Sequence, residues 1–201
     1  MRTAARILVA ALAAGLLLGV ATQFLQGILP GPLNWLANSM SGWLVPAFAV
    51  GALAPAARLA AIPGPVLLYG ALAGYQLAAH LRFGYGMSTT ILLFWSVGAV
   101  VGGAVFGLAG WTWRHGGDRG KAAATGLLAA LLLAEGFYLW SILPDPATGV
   151  LFAAVGLAVP TLIGGSWRGR ALGYAALVPC LALGAVGYAA MFVLLGVITG
   201  V

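Results

Sequence analysis

Charge is scarce in this sequence, and acid is scarcest. Three acidic residues, Asp118, Glu135 and Asp145, stand beside nine lysines and arginines in 201 residues, 6% charged in all. A water-soluble domain surrounds itself with roughly a quarter charged residues. A chain with 63% hydrophobic residues and a mean hydropathy of +1.08 cannot offer water such a surface. It is read as an integral membrane protein. One cysteine, Cys180, excludes an intrachain disulfide and any thiolate cluster for zinc or iron–sulfur. The two histidines, His80 and His115, stand at no ligand spacing, and no H-x-x-x-H or carboxylate cluster occurs, so no metal or other cofactor is expected. A phosphate-cradling G-x-x-x-x-G-K-[ST] loop is also missing, and Gly116-Gly117-Asp118 is too short and acidic to replace it. The chain therefore does not hydrolyse ATP itself. The net charge of +6 would raise nucleic acid in a soluble domain. Here the basic residues lie between apolar runs, where orientation in a membrane explains them, and no nucleic-acid partner is expected.

Long apolar runs are what the sequence has in abundance. Those at residues 5–29, 61–82, 88–112, 121–143, 147–166 and 170–199 approach or exceed the ~20 residues a bilayer requires. The first follows Arg2 and Arg6 as a secretory signal would, but it continues to about Leu29 with no small-x-small cleavage site, so it reads as a retained helix. A shorter run, 41–54, reaches across when joined to residues 36–40. If it crosses, the N-terminus is cytoplasmic and every Lys and Arg except Arg82 is on the cytoplasmic side. If it does not, most of them fall outside, against the positive-inside bias. The expected fold is an all-α polytopic transmembrane bundle of about seven spans (six if residues 41–54 do not cross). Its N-terminus is cytoplasmic, and residues 1–201 form a single integral membrane domain. Residues 30–40, 83–87 and 144–146, with Gly31, Gly84, Gly86, Pro144 and Pro146, form the extracytoplasmic turns.

Small residues recur at a spacing of four in Ala10/Ala14 and Ala11/Gly15/Gly19 on the first helix, and in Gly98/Gly102 and Ala99/Gly103/Gly107 on the fourth. Such ridges let backbones approach closely where lipid supplies no hydrophobic driving force. Amides, aromatics and charge collect in the outer half of the bundle. Tyr69, Gln76 and His80, spaced by seven and four, share a helix face, as do Glu135 and Tyr138, spaced by three. Glu135 is the only glutamate and the only acid within a long apolar run. It lies about 12 Å from the outer end of that run at 1.5 Å per residue. An acid near a helix centre costs about 2.5–3.5 kcal/mol on insertion scales, so it faces protein or a water-filled cavity. The stretch Asn34 to Trp43 alternates hydrogen-bonding and aromatic groups and reads either as an interfacial segment or as a lid. The candidate ligand-binding residues are Trp35, Asn38, Trp43, Tyr75, Gln76, His80, Trp95, Glu135 and Tyr138.

The run Gln26-Gly27-x-Leu29-Pro30-Gly31-Pro32-Leu33-Asn34-x-Leu36-Ala37-Asn38-Ser39, then Gly42 and Trp43, Phe94-Trp95 and Ala134-Glu135-Gly136, resembles a family of small actinobacterial membrane proteins of unknown function. The resemblance covers the whole chain and implies a bacterial cytoplasmic membrane and a multi-pass protein. In architecture the chain also resembles the substrate-binding S components of energy-coupling-factor vitamin transporters. That resemblance implies capture of a vitamin-like compound from outside and a transmembrane partner subunit docked on the Ala10/Ala14 ridge. It also implies six spans, against the seven that charge favours.

The leading expectation is a membrane protein that binds or transports a small, planar, partly polar molecule in an outward-facing aromatic pocket. The alternative is an intramembrane enzyme, a cyclase or isomerase of a lipid or isoprenoid. Glu135 would be its catalytic general acid, and aromatic walls would steady a carbocation. Such an enzyme favours a second acid, for which Asp145 is the outward candidate. A third reading makes Glu135 a tie between helices.

Overall fold

The computed structural model describes residues 2–30, 32–37, 39–141 and 145–199, so Gly31, Asn38 and Pro144 lie outside it. Its secondary structure among the described residues is helical: α1 (Arg2–Leu25), α2 (Pro32–Ala37), α3 (Met40–Ala52), α4 (Ala57–Ala60), α5 (Pro63–Phe83), α6 (Thr89–His115), α7 (Asp118–Ser141), α8 (Pro146–Ile163) and α9 (Trp167–Thr199). Six helical stretches, α1, α4 with α5, α6, α7, α8 and α9, are long and apolar enough to cross a membrane. Their outward side chains are those a bilayer accepts: Leu17 is 71% exposed, Leu81 76% and Leu162 74%. In water such a surface would aggregate.

Local chemistry sets the helix ends. Pro63 opens α5, where its missing N–H is no loss. Gly84 closes the same helix in the left-handed region at φ 77°, its N–H returning to the His80 carbonyl at 2.8 Å. Asp145 precedes Pro146 and caps α8: Oδ1 accepts from the Thr148 N–H at 3.1 Å and Oδ2 from the Thr148 hydroxyl at 2.8 Å.

The chain divides into two compact units. One comprises Met1–Asn38, Gly42–Trp111 and Ala189–Val201; the other comprises Ser39–Ser41 and Thr112–Tyr188. In the first, glycines hold α1 against α5 with no room for a side chain. A methyl group on Gly15 would overlap the Leu67 carbonyl oxygen, and one on Gly19 the Ala71 carbonyl oxygen. From the other side, Gly70 meets Leu12 and Gly74 meets Leu16. The register rises together on both helices, so α1 and α5 run parallel. Thus the Ala11/Gly15/Gly19 ridge packs internally, whereas Ala10 and Ala14 are exposed.

Parallel neighbours require the chain to cross back between them. The connection begins beside the Leu25 end of α1, where Gln26 Nε2 donates to the Ala37 carbonyl at 3.3 Å and Trp43 Nε1 to Thr22 Oγ1 at 3.3 Å. It ends where Gly51 of α3 meets Gly107 of α6, which also abuts Ala60 of α4. Helix α3 therefore carries the chain back toward the Arg2 end of α1. It does so with only 13 residues, about 20 Å of helix against a ~30 Å hydrocarbon core.

In the second unit α7 and α8 are antiparallel, with Gly136 against Gly149 and Ala153, and Gly156 against Ala129 and Leu133. Gly126 of α7 sits on Gly173 and Ala176 of α9. Trp113 Nε1 donates to the Ile163 carbonyl at 2.9 Å, and the Ser166 hydroxyl to Asp118 Oδ1 at 2.8 Å. These bonds gather the end of α6, the start of α7 and the α8–α9 turn, so that Arg114, Arg119, Lys121, Arg168 and Arg170 share one end of this unit. In the first unit Arg6 and Arg58 lie toward the Arg2 end of α1, and Arg82 toward the other.

The glycine contacts make a graded prediction. Gly19→Ala drives a methyl into backbone that cannot turn aside and is expected to destabilise by about 2–3 kcal/mol. Gly27→Ala, at φ 80° with nothing within 4 Å of the new carbon, carries only a backbone cost of about 1–2 kcal/mol. Leu17→Ala, on the exposed face, is expected to be close to neutral. Thermal unfolding of the three variants in detergent measures the order; a Gly19→Ala protein as stable as Leu17→Ala would refute the α1–α5 packing described.

Candidate functional site

A helix leaves its first N–H groups without intrahelical partners, and a membrane interior has no water to satisfy them. Because α3 falls about 10 Å short of the core thickness, its start is where this problem is acute. Glu135 resolves it. Its Oε1 accepts from the Met40 N–H at 2.8 Å, and its Oε2 from the Ser41 N–H at 3.1 Å and the Ser39 hydroxyl at 3.0 Å. The residue lies six positions before the end of α7, about 9 Å along the axis. The carboxylate thus acts as the N-terminal cap of another helix, where the positive end of the helix dipole also favours an anion.

The two serines complete the centre. Ser39 and Ser41 are each 5% exposed, with their hydroxyl oxygens 2.5 Å apart. A hydroxyl has one proton. Since that of Ser39 goes to Glu135, Ser41 must donate to Ser39, which gives a directed chain Ser41 to Ser39 to Glu135. Ser39 stands where a serine ordinarily caps its own helix, but here its hydroxyl points to Glu135. Tyr138, one turn further along α7, is 40% exposed. Among the described residues no three of His, Cys, Asp and Glu gather in a manner that would hold a metal ion.

A second polar cluster lies in the first unit, at the Leu25 end of α1. Tyr75 donates its hydroxyl proton to Gln26 Oε1 at 3.0 Å, while the Gln26 amide reaches the Ala37 carbonyl. Asn34 Oδ1 accepts from the Gly27 N–H at 3.0 Å, and Trp43 is tied to Thr22. Trp35 is half-buried on α2. Arg82 Nη1 donates to the Gln23 carbonyl at 3.1 Å, with its guanidinium 5.8 Å from the Phe24 ring centre and 5.0 Å from that of Phe83. The Gln23 side chain is 4% exposed, and its Oε1 has no hydrogen-bond partner among the described residues.

The structure therefore distributes the sequence-predicted residues over several settings. Trp43 and Tyr75 join the cluster at the end of α1, and Glu135 and Tyr138 lie in the other unit. Gln76 clasps the turn after α5, accepting from the Met87 N–H at 2.7 Å and donating to the Met87 carbonyl at 3.5 Å. His80 is exposed, and Trp95 meets Phe94 edge-on with ring centres 5.3 Å apart. Asn38 lies outside the described residues. The described part of the stretch Asn34 to Trp43 contributes most of α2, the start of α3 and the two buried serines. Sequence reasoning missed Ser39 and Ser41, although a Ser-x-Ser pair opening a short apolar run is a helix-start signal. Thr22, which receives the Trp43 indole N–H, left no such signal.

The chain belongs to a family of unknown function (DUF6518), whose model matches residues 1–197. No curated protein and no solved structure matches it.

Removing the carboxylate leaves a helix start uncapped at depth. Glu135→Gln keeps one acceptor but turns an amide N–H toward a backbone N–H of Met40 or Ser41, which can only donate. Hydrogen bonds to a charged group contribute about 1.5–3 kcal/mol each, so a loss of about 2–4 kcal/mol is expected, with Ser39→Ala costing about 1 kcal/mol. Unfolding in detergent measures both, and hydrogen exchange locates the loss. Unchanged protection at Met40 and Ser41 in Glu135→Gln would rule out the cap.

Proposed function

We propose that this protein is a small-molecule-binding membrane protein of the transport or substrate-capturing kind, and that the Glu135 centre is its binding site. The observation that carries the reading is the start of α3, where the Met40 and Ser41 N–H groups and the Ser39 hydroxyl converge on Glu135, the only acid in the long apolar runs. Helices broken in this way are tolerated in membranes where the freed backbone is buried in protein or lines a cavity. Transporters use their exposed termini to hold substrates and coupling ions. Here the resident carboxylate takes the position that a solute's anionic group takes in such sites.

A carboxylate offers about four lone-pair positions. Among the described residues Oε2 receives two donors and Oε1 one. The capacity left on Oε1 favours a solute that brings an N–H or O–H donor, and Tyr138 supplies aromatic surface one turn away. The distribution of Arg and Lys within each unit supports a cytoplasmic N-terminus. On that orientation the Glu135 end of its unit faces outward from a bacterial cytoplasmic membrane.

The enzymatic reading has less support. Asp145, the second acid it favours, is engaged in capping α8.

Native mass spectrometry of protein released in mild detergent from its own host tests the reading. Wild type is expected to carry a small molecule that Glu135→Gln loses and Tyr138→Ala retains weakly, while Trp140→Phe, a conservative change further along α7, leaves it in place. A wild-type protein carrying only bulk phospholipid, or a Glu135→Gln protein with the same small molecule at full occupancy, would remove the proposed site.

A further inference from the structure

The basic end of the second unit carries a cleft that the Glu135 centre does not explain. It encloses about 360 Å³ and is lined by Trp113, Arg114, Lys121, Leu162, Ile163 and Gly165. That volume lies in the range of small-ligand sites, about 300–1,000 Å³. The local chain builds it. Gly165, at φ 76°, turns the chain between α8 and α9, and the Lys121 ammonium lies beside the space where a side chain on Gly165 would be. The stem of Arg170 covers Gly164 in the same turn. The indole of Trp113, bonded to the Ile163 carbonyl, closes one wall.

The chemistry of the lining is divided. Arg114 and Lys121 belong to a group with Arg119, Arg168 and Arg170, against the single acid Asp118, which already accepts from Ser166. Beside them are apolar surfaces that nothing in the unit covers: Leu162 is 74% exposed and Trp167 82%. A soluble anion uses only the first half of such a lining, whereas a lipid with a charged phosphate above a hydrocarbon chain uses both. Basic pockets between transmembrane helices at the membrane surface are suited to anionic headgroups. Tryptophan is at home at that depth.

We propose that this cleft binds the phosphate headgroup of an anionic phospholipid. Arg114 and Lys121 hold the phosphate, and Trp113 and Leu162 lie against the glycerol and the first acyl carbons. The site is independent of the Glu135 centre and does not require the solute-binding reading.

Native mass spectrometry of the full chain in a neutral detergent, titrated with phosphatidylglycerol or phosphatidylcholine, tests it. Phosphatidylglycerol is expected to bind the tighter, and Arg114→Gln with Lys121→Gln to weaken it by about tenfold or more, as two lost surface cations imply. Arg58→Gln, a cation in the other unit, is expected to leave binding unchanged. Should the double variant not fold, Arg114→Gln alone, at an exposed side chain, makes the same comparison with about fivefold weakening. Equal binding of the two lipids, or an equal loss in Arg58→Gln, would overturn the proposal. Displacement of the lipid by millimolar inorganic phosphate would also overturn it and assign the cleft to a soluble phosphate instead.

Discussion

The backbone N–H groups of Met40 and Ser41 are the point on which the fold turns. In water they would be solvated at no consequence; inside a bilayer an unsatisfied amide costs several kcal/mol. They exist because α3 has to carry the chain across a membrane in 13 residues. The crossing is imposed in turn by the parallel packing of α1 and α5, which obliges residues 26–62 to return to the opposite end. One carboxylate, reaching from α7, meets the resulting need. The cost of placing Glu135 at depth and the cost of starting a helix at depth therefore offset each other, which neither could do alone.

Glycine is the second constraint, and it precedes the first. Lipid tails are as apolar as leucine, so helices gain nothing by merely hiding hydrophobic surface from lipid, and association rests on close packing. Gly15 and Gly19 bring α1 onto the backbone of α5; Gly51, Gly107 and Gly110 do the same for α3 and α6. A methyl at any of these positions would overlap a carbonyl or a neighbouring Cα. With α1 and α5 pressed together in parallel, the short crossing becomes unavoidable. The glycine contacts thus create the helix start that Glu135 caps.

The sequence makes some of this legible and hides the rest for physical reasons. Hydropathy located the six long helices because a bilayer requires apolar length; the run expected at 61–82 is α5 at Pro63–Phe83. The crossing expected at 41–54 was too short for that criterion and rested on the charges; the structure has the 13-residue α3 there, shorter than the helices long enough to span. Glu135 stood out as an acid that lipid would not accept. Its partners did not, because Ser39, Met40 and Ser41 lie 94 to 96 residues away and no local pattern encodes that pairing. Gln76 was misleading in the other direction. Its spacing to Tyr69 and His80 defines a common helix face, yet its amide bonds to Met87, a turn residue no periodicity describes. The Ala10/Ala14 and Ala11/Gly15/Gly19 ridges have the same spacing, and only the structure separates the exposed one from the packed one.

Under the proposed reading, capping a helix and receiving a solute would place opposed demands on one carboxylate, and the geometry limits how both could be met. A solute carboxylate that displaced Glu135 from α3 would leave two anions at a depth where even one is costly. A solute donor that took Oε2 would have to displace the Ser41 N–H or the Ser39 hydroxyl, and either loss leaves a polar group unpaired in a dry setting. Oε1, with Met40 as its donor among the described residues, can accept a further bond without breaking an existing one. Under the proposed reading, a solute bound at this oxygen would be neutral or cationic and would present N–H or O–H.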